Sequence, residues 1–212
     1  MSIRKSPEQA AGDAGFTFIE IMVVLLILAI LLAVAIPTFL GVTNSANDRA
    51  SQSNLNTAIL NAKAAYQSNR QSYSTPNAVT AASLQAAEPS LSFVTTNSTG
   101  QGVVSVFLAA DGKAIVLAAF SKSNNCHYQI DNPGGNTATL APFASNFQVN
   151  GTTMASQTVL TPGTGAITFP TGQAGTIYVE VKGDTIPGHC RASTPVYGGS
   201  SFEWSTTAFP SL

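Results

Sequence analysis

Glu20 is the one charged residue in a stretch that is otherwise built to avoid water. An almost unbroken apolar run extends from Ile21 to Ile36, followed by Pro37-Thr38-Phe39-Leu40. From Phe16 to Leu40 the stretch is 25 residues, or ~37 Å as a helix, against a hydrocarbon core of ~30 Å. It is long enough to span a bilayer. An acid at that depth costs ~2.5–3.5 kcal/mol on insertion scales, so Glu20 calls for a proton donor or a positive partner.

A second constellation lies far downstream, where Cys126-His127 and His189-Cys190 offer the ligand types of a Cys2His2 zinc site. Neighbours on a strand point to opposite faces, which works against both members of a pair holding one ion. A disulfide is the other reading, because both cysteines would lie outside the membrane, where disulfides persist. The bridge would close a loop of ~65 residues, worth ~4 kcal/mol in the chain-entropy model. With Cys126 and Cys190 so used, His127 and His189 are expected at the surface and no metal is expected.

Other catalytic patterns are missing. Neither Gly-x-Ser-x-Gly nor a phosphate-binding loop occurs, and Gly163-Thr164-Gly165 lacks the third glycine of a dinucleotide loop. With both histidines beside cysteines, a hydrolytic triad has few candidates. The acids Asp111, Asp131, Glu180 and Asp184 fall at expected turns or on exposed strand faces, where solvation is the ordinary fate. No enzymatic activity and no cofactor are expected.

The residues around Glu20 carry a resemblance. A short hydrophilic leader ending in Gly15, a mature chain starting at Phe16, a glutamate as its fifth residue and Pro37 later in the apolar helix resemble the N-terminal region of type IV pilins and pseudopilins. The resemblance covers about an eighth of the chain. Where the family commonly has a glycine eight residues before that proline, this chain has Ala29. The resemblance implies cleavage between Gly15 and Phe16 by a prepilin peptidase, methylation of the new Phe16 amine, and pairing of Glu20 with that amine on a neighbouring subunit. It also implies an inner-membrane assembly platform as partner, a homopolymer as product, and a disulfide-bounded C-terminal region.

Two plainer readings compete. An ordinary membrane anchor needs neither the glycine-phenylalanine junction nor the early acid. A secretory signal would use the small-x-small site Ala33-Val34-Ala35, but the run stays apolar past that cut and is longer than the usual ~7–15 residues. The three readings give different mature N-termini: Met1 or Ser2, Phe16 or Ile36.

The elements that position these residues follow from composition and period. Of 212 residues only 9% are charged, and the net charge is −1, so the clustered lysines and arginines of a nucleic-acid surface are missing. Residues 1–15 form a leader, its Arg4 and Lys5 favouring the inside of the membrane. Residues 16–40 form the transmembrane and assembly helix, and 41–75 continue it amphipathically. Leu55, Ile59, Ala62 and Tyr66, with Ala58 and Ala65 alongside, make one apolar stripe, and Pro76 supplies a stop.

Residues 76–212 should form one β-rich domain. A short helix is expected at 81–87, stopped by Pro89. Apolar runs at 103–109 and 114–120 flank Asp111-Gly112, which predicts a hairpin with a type I′ turn. Strands are expected at 126–130 and 176–181, shorter ones at 146–149, 158–160 and 166–169, and a last strand or aromatic plug at Phe202-Glu203-Trp204 and Phe209. Residues 136–175 read equally as an added sheet or a surface excursion. Helix first and antiparallel sheet after is an α+β order. The resemblance implies a structural filament subunit, held in the cytoplasmic membrane with its N-terminus inside and then displayed at the cell surface. The alternatives in the same class are a pseudopilin of a secretion or DNA-uptake machine and a minor adhesive or DNA-engaging pilin.

Overall fold

The computed structural model describes residues 15–109, 111–135, 148–149, 152–153, 158–161, 165–168, 174–185, 187–193, 196–197 and 201–209. The expected leader up to residue 14 and most of 136–173 lie outside the described residues. The chain divides into two units, Met1–Val42 and Thr43–Leu212.

Helix α1 runs from Phe18 to Ser68 without a break. Through the first unit every described residue is exposed, including Phe18 at 81% and Phe39 at 70%. Pro37 sits inside the helix, where it removes one backbone donor. The helix nevertheless continues, and the next residue, Thr38, turns its hydroxyl onto the carbonyls of Val34 (3.2 Å) and Ala35 (2.9 Å).

The helix ends at Ser68, about two turns earlier than the expected bound of 75. Arg70 and Gln71 adopt positive φ (56° and 58°), and the Gln71 amide donates to the Tyr66 carbonyl at 3.0 Å. Asn69 then organises the reversal: its side chain donates to the carbonyls of Ser72 and Asn77 and accepts from the Asn77 amide. An asparagine that satisfies three backbone groups of a turn stops a helix before any proline is reached.

In the second unit α2 spans Ala81–Ala87, as predicted, with Thr80 and Ser83 forming a capping box. The strands are β1 (Ser92–Val94), β2 (Val103–Leu108), β3 (Ile115–Phe120), β4 (Cys126–Asn132), β5 (Gln148–Val149), β6 (Thr152–Thr153), β7 (Thr158–Thr161), β8 (Gly165–Thr168), β9 (Gly175–Lys182), β10 (Val196–Tyr197) and β11 (Ser201–Ser205). Six form one sheet in the order β1-β2-β3-β4-β9-β11, in which only β1 pairs in parallel. The others make a small sheet, β10-β5-β6, and a hairpin, β7-β8. The architecture is α+β.

The sheet is buried on both faces. On the helix side Leu55, Ala58, Ile59 and Ala62 pack with Val104, Val106, Ile115, Leu117 and Ala119, and the predicted stripe is the contact. On the other side Val116, Ala118, Tyr128, Ile130, Ile177 and Val179 pack with Cys190 and Ala192. The central strand β3 is buried at every position, which is why it reads as a continuous apolar run rather than an alternation.

The β2–β3 hairpin forms at the expected place with a different turn. The Gly112 amide donates to the Ala109 carbonyl, and Gly112 carries the positive φ (69°) while Asp111 does not. The connection, six residues between Leu108 and Ile115, is therefore not the two-residue type I′ turn, in which both central residues would have positive φ. The Gly112 carbonyl also accepts from the Tyr73 amide at 2.8 Å, and a Cβ on Gly112 would lie 1.9 Å from the Ser74 hydroxyl. Docking onto the chain that follows α1 decides the turn.

Candidate functional site

The N-terminal residues build a site from very few atoms. Gly15, Phe16 and Thr17 precede the helix in irregular, exposed backbone, with Phe16 83% exposed. Thr17 caps α1. Its backbone amide and its hydroxyl both donate to Glu20 Oε2, at 2.8 and 2.7 Å, and its hydroxyl accepts from the Glu20 amide at 3.3 Å. This is a capping box, which satisfies orphan donors of the first turn and places the carboxylate at the positive end of the helix. Glu20 thus has partners in its own chain, one turn back and beside Phe16. Thr17 was legible as a partner from the Thr-x-x-Glu spacing ahead of an apolar run, a signal the sequence reading passed over.

In the second unit a row of polar side chains, most of them buried, joins α1 to β4 and β9. Asp48 accepts from the Ser123 hydroxyl and, at 3.0 Å, from Asn125 Nδ2. Ser51 Oγ meets His127 Nδ1 at 2.8 Å, and His127 Nε2 lies 3.5 Å from Glu180 Oε1. Gln129 Nε2 donates to Asn56 Oδ1 at 3.0 Å. Asp131 takes Lys63 at 3.0 Å, the Tyr73 hydroxyl at 2.5 Å and the Thr176 hydroxyl at 3.3 Å.

These contacts correct the sequence reading of the acids and of His127. Glu180 and His127 are fully buried, and Asp131 and Asp184 nearly so; only Asp111 is exposed as expected. On β4 the alternation places His127, Gln129 and Asp131 on the face that α1 covers, and polar partners on the helix make that burial tolerable.

Ser51, His127 and Glu180 have the order of a catalytic relay, a combination the sequence reading did not assemble. All three are fully buried, and Phe209 sets its ring edge-on to His127 at 5.5 Å. A reactant has no path to the serine oxygen, so the row serves packing between helix and sheet.

Cys126 and Cys190 are joined, with Cα atoms 5.5 Å apart. His127 turns toward α1, whereas His189 Nδ1 meets Asp184 at 3.0 and 3.1 Å and is partly buried, not a free surface residue. With both thiols in the bridge and the histidines facing different neighbours, the zinc reading has no ligand set. Beside the bridge, the Tyr128 hydroxyl donates to the His189 carbonyl at 3.2 Å.

The family model of the prokaryotic N-terminal methylation motif matches residues 11–36. Neither the curated proteins nor the solved structures give a match to the chain. The matched stretch contains the Gly15-Phe16 junction, the Thr17–Glu20 capping box and most of the exposed apolar half of α1; Pro37 follows directly after it. The chain therefore carries the prepilin-type methylation motif typical of type IV pilins and pseudopilins, whose members are typically non-enzymatic structural subunits.

Proposed function

We propose that the protein is a structural subunit of a type IV pilus-like filament. In this reading a prepilin peptidase removes residues 1–15, the amine of Phe16 is methylated, and the mature chain waits in the cytoplasmic membrane before it joins a homopolymer through its apolar helix. The observation that carries the reading is the methylation motif running into a helix whose apolar side chains are all exposed through Val42. A surface of that kind needs lipid or other copies of itself around it. The length and apolar composition of α1 near its N-terminus support the membrane stage.

The capping box gives the assembly step a physical form. In the isolated chain Glu20 is held by Thr17, which lowers the cost of keeping an acid near the membrane. A neighbour's Phe16 amine offers a full opposite charge to the same carboxylate. Packing between helices then replaces contacts with lipid.

Replacing Glu20 with Ala should leave cleavage at Gly15 intact and reduce sheared filaments at least tenfold. Normal filament yield from that variant would contradict the role given to the carboxylate. Abundance of the wild-type chain in sheared fibres distinguishes a major pilin from a pseudopilin, which works in a secretion or uptake machine and is scarce there.

A further inference from the structure

Where the C-terminal segment crosses the sheet beside α1, Gln52 and Asn56 of the helix, Tyr178 of β9, and Thr207, Ala208 and Phe209 line an open cleft of about 300 Å³. This is the lower end of the ~300–1,000 Å³ range of small-molecule pockets, room for one ring and not for a chain. Its chemistry is narrow. Among the described residues the lining carries two side-chain amides, one aliphatic hydroxyl and two aromatic rings, one of them a phenol, and no charged side chain.

The Tyr178 and Phe209 rings meet at a 73° angle with centroids 5.0 Å apart, forming a corner of aromatic surface in the cleft. Asn56 is held in one orientation from beneath. Gln129, 1% exposed and the register partner of Tyr178, donates to Asn56 Oδ1 and so leaves Asn56 Nδ2 as the donor available to the cleft. Gln129 Oε1 is buried and has no hydrogen-bond partner among the described residues.

We propose that this cleft binds a single neutral sugar ring. An anionic ligand would look for lysine or arginine and an amine for a carboxylate, and the lining has neither among the described residues. A purely apolar ligand would strip water from the amides without replacing its hydrogen bonds. A pyranose meets both halves of the site, since its C–H face stacks on aromatic rings while its hydroxyls donate and accept toward Gln52 and Asn56. The proposal stands apart from the filament reading and does not depend on it.

The test uses the full chain, ¹⁵N-labelled, in phosphocholine micelles, because glycoside detergents carry the proposed ligand. It is titrated with glucose, galactose, mannose and N-acetylglucosamine and their methyl glycosides, with N-acetylneuraminic acid and inorganic phosphate as charged controls. At least one neutral sugar should give saturable shifts of the Gln52 and Asn56 side-chain amides, with a Kd on the order of 1 mM, and Asn56→Ala should weaken it about tenfold. Tyr178→Phe, which keeps the ring and the fold, should weaken it by less. Binding of methyl glycosides points to the terminal residue of a glycan, and binding of the reducing sugars alone to a free monosaccharide. No saturable shift up to about 100 mM would overturn the proposal. So would equal binding of the charged controls, or an affinity unchanged by both substitutions.

Discussion

Tyr73 and Tyr128 are buried phenols whose protonation the fold favours. Burial first, then the charge of Asp131, the hydrogen bond to it and the nearby Tyr66, push the Tyr73 phenol far above the ordinary tyrosine value. For Tyr128 burial again leads, with the Asp184 charge adding to it and a hydrogen bond with the Arg191 backbone opposing. Both phenols therefore stay protonated in the folded chain at pH values where an unfolded tyrosine, near 10, gives up its proton. Their contribution is complete below about pH 10 and is lost as pH rises further, at about 1.4 kcal/mol per pH unit for each tyrosine. Denaturant unfolding of the full chain in micelles from pH 9 upward should show that decline, and Tyr73→Phe should make it shallower by one tyrosine's share. An unchanged slope in Tyr73→Phe would mean that its phenol ionises in the folded protein as it does in water.

At the level of elements, the helix stripe was legible because burial there follows a period. Leu55, Ile59 and Ala62 recur at helical spacing, and the structure buries all three. Strands β2, β3 and β9 were legible from β-branched runs and alternation, and the fold keeps them within a residue or two. The polar row was not legible, because what buries His127 and Glu180 is a partner far along the chain. Ser51 and His127 are 76 residues apart, and a local pattern that puts a charge on a strand face cannot tell solvent from a helix carrying the matching group. Strand β1 escaped for a related reason. It is three residues long, and its edge is tied by Gln85 of α2, which donates to the Leu91 carbonyl and accepts from the Phe93 amide. The helix end was missed because Asn69, a single side chain, closes it. The bridge between β4 and Cys190 spans a sequence separation of 64. Replacing both cysteines by serine should lower unfolding stability by about 4 kcal/mol in the chain-entropy account, read as a drop in denaturant midpoint. A midpoint within error of the wild type would show that the unfolded chain is not constrained by that loop.

For the whole molecule, two kinds of surface are encoded in one chain. The first unit presents apolar side chains to its surroundings along every described turn of helix, and the second buries its apolar residues on both faces of a sheet. A water-soluble monomer has no use for the first surface, whereas a membrane resident that later joins a bundle uses it twice. The low charge, 9% of residues, is consistent with a surface displayed without electrostatic attraction to nucleic acid. The proposed assembly begins with a cut between Gly15 and Phe16. Intact-mass and N-terminal peptide mass spectrometry of the chain, purified from cells that contain a prepilin peptidase, tests that cut directly. The expected result is a chain beginning at Phe16 and carrying one added methyl group on its amine. A chain still beginning at Met1 or Ser2, or one beginning at Ile36, would contradict it.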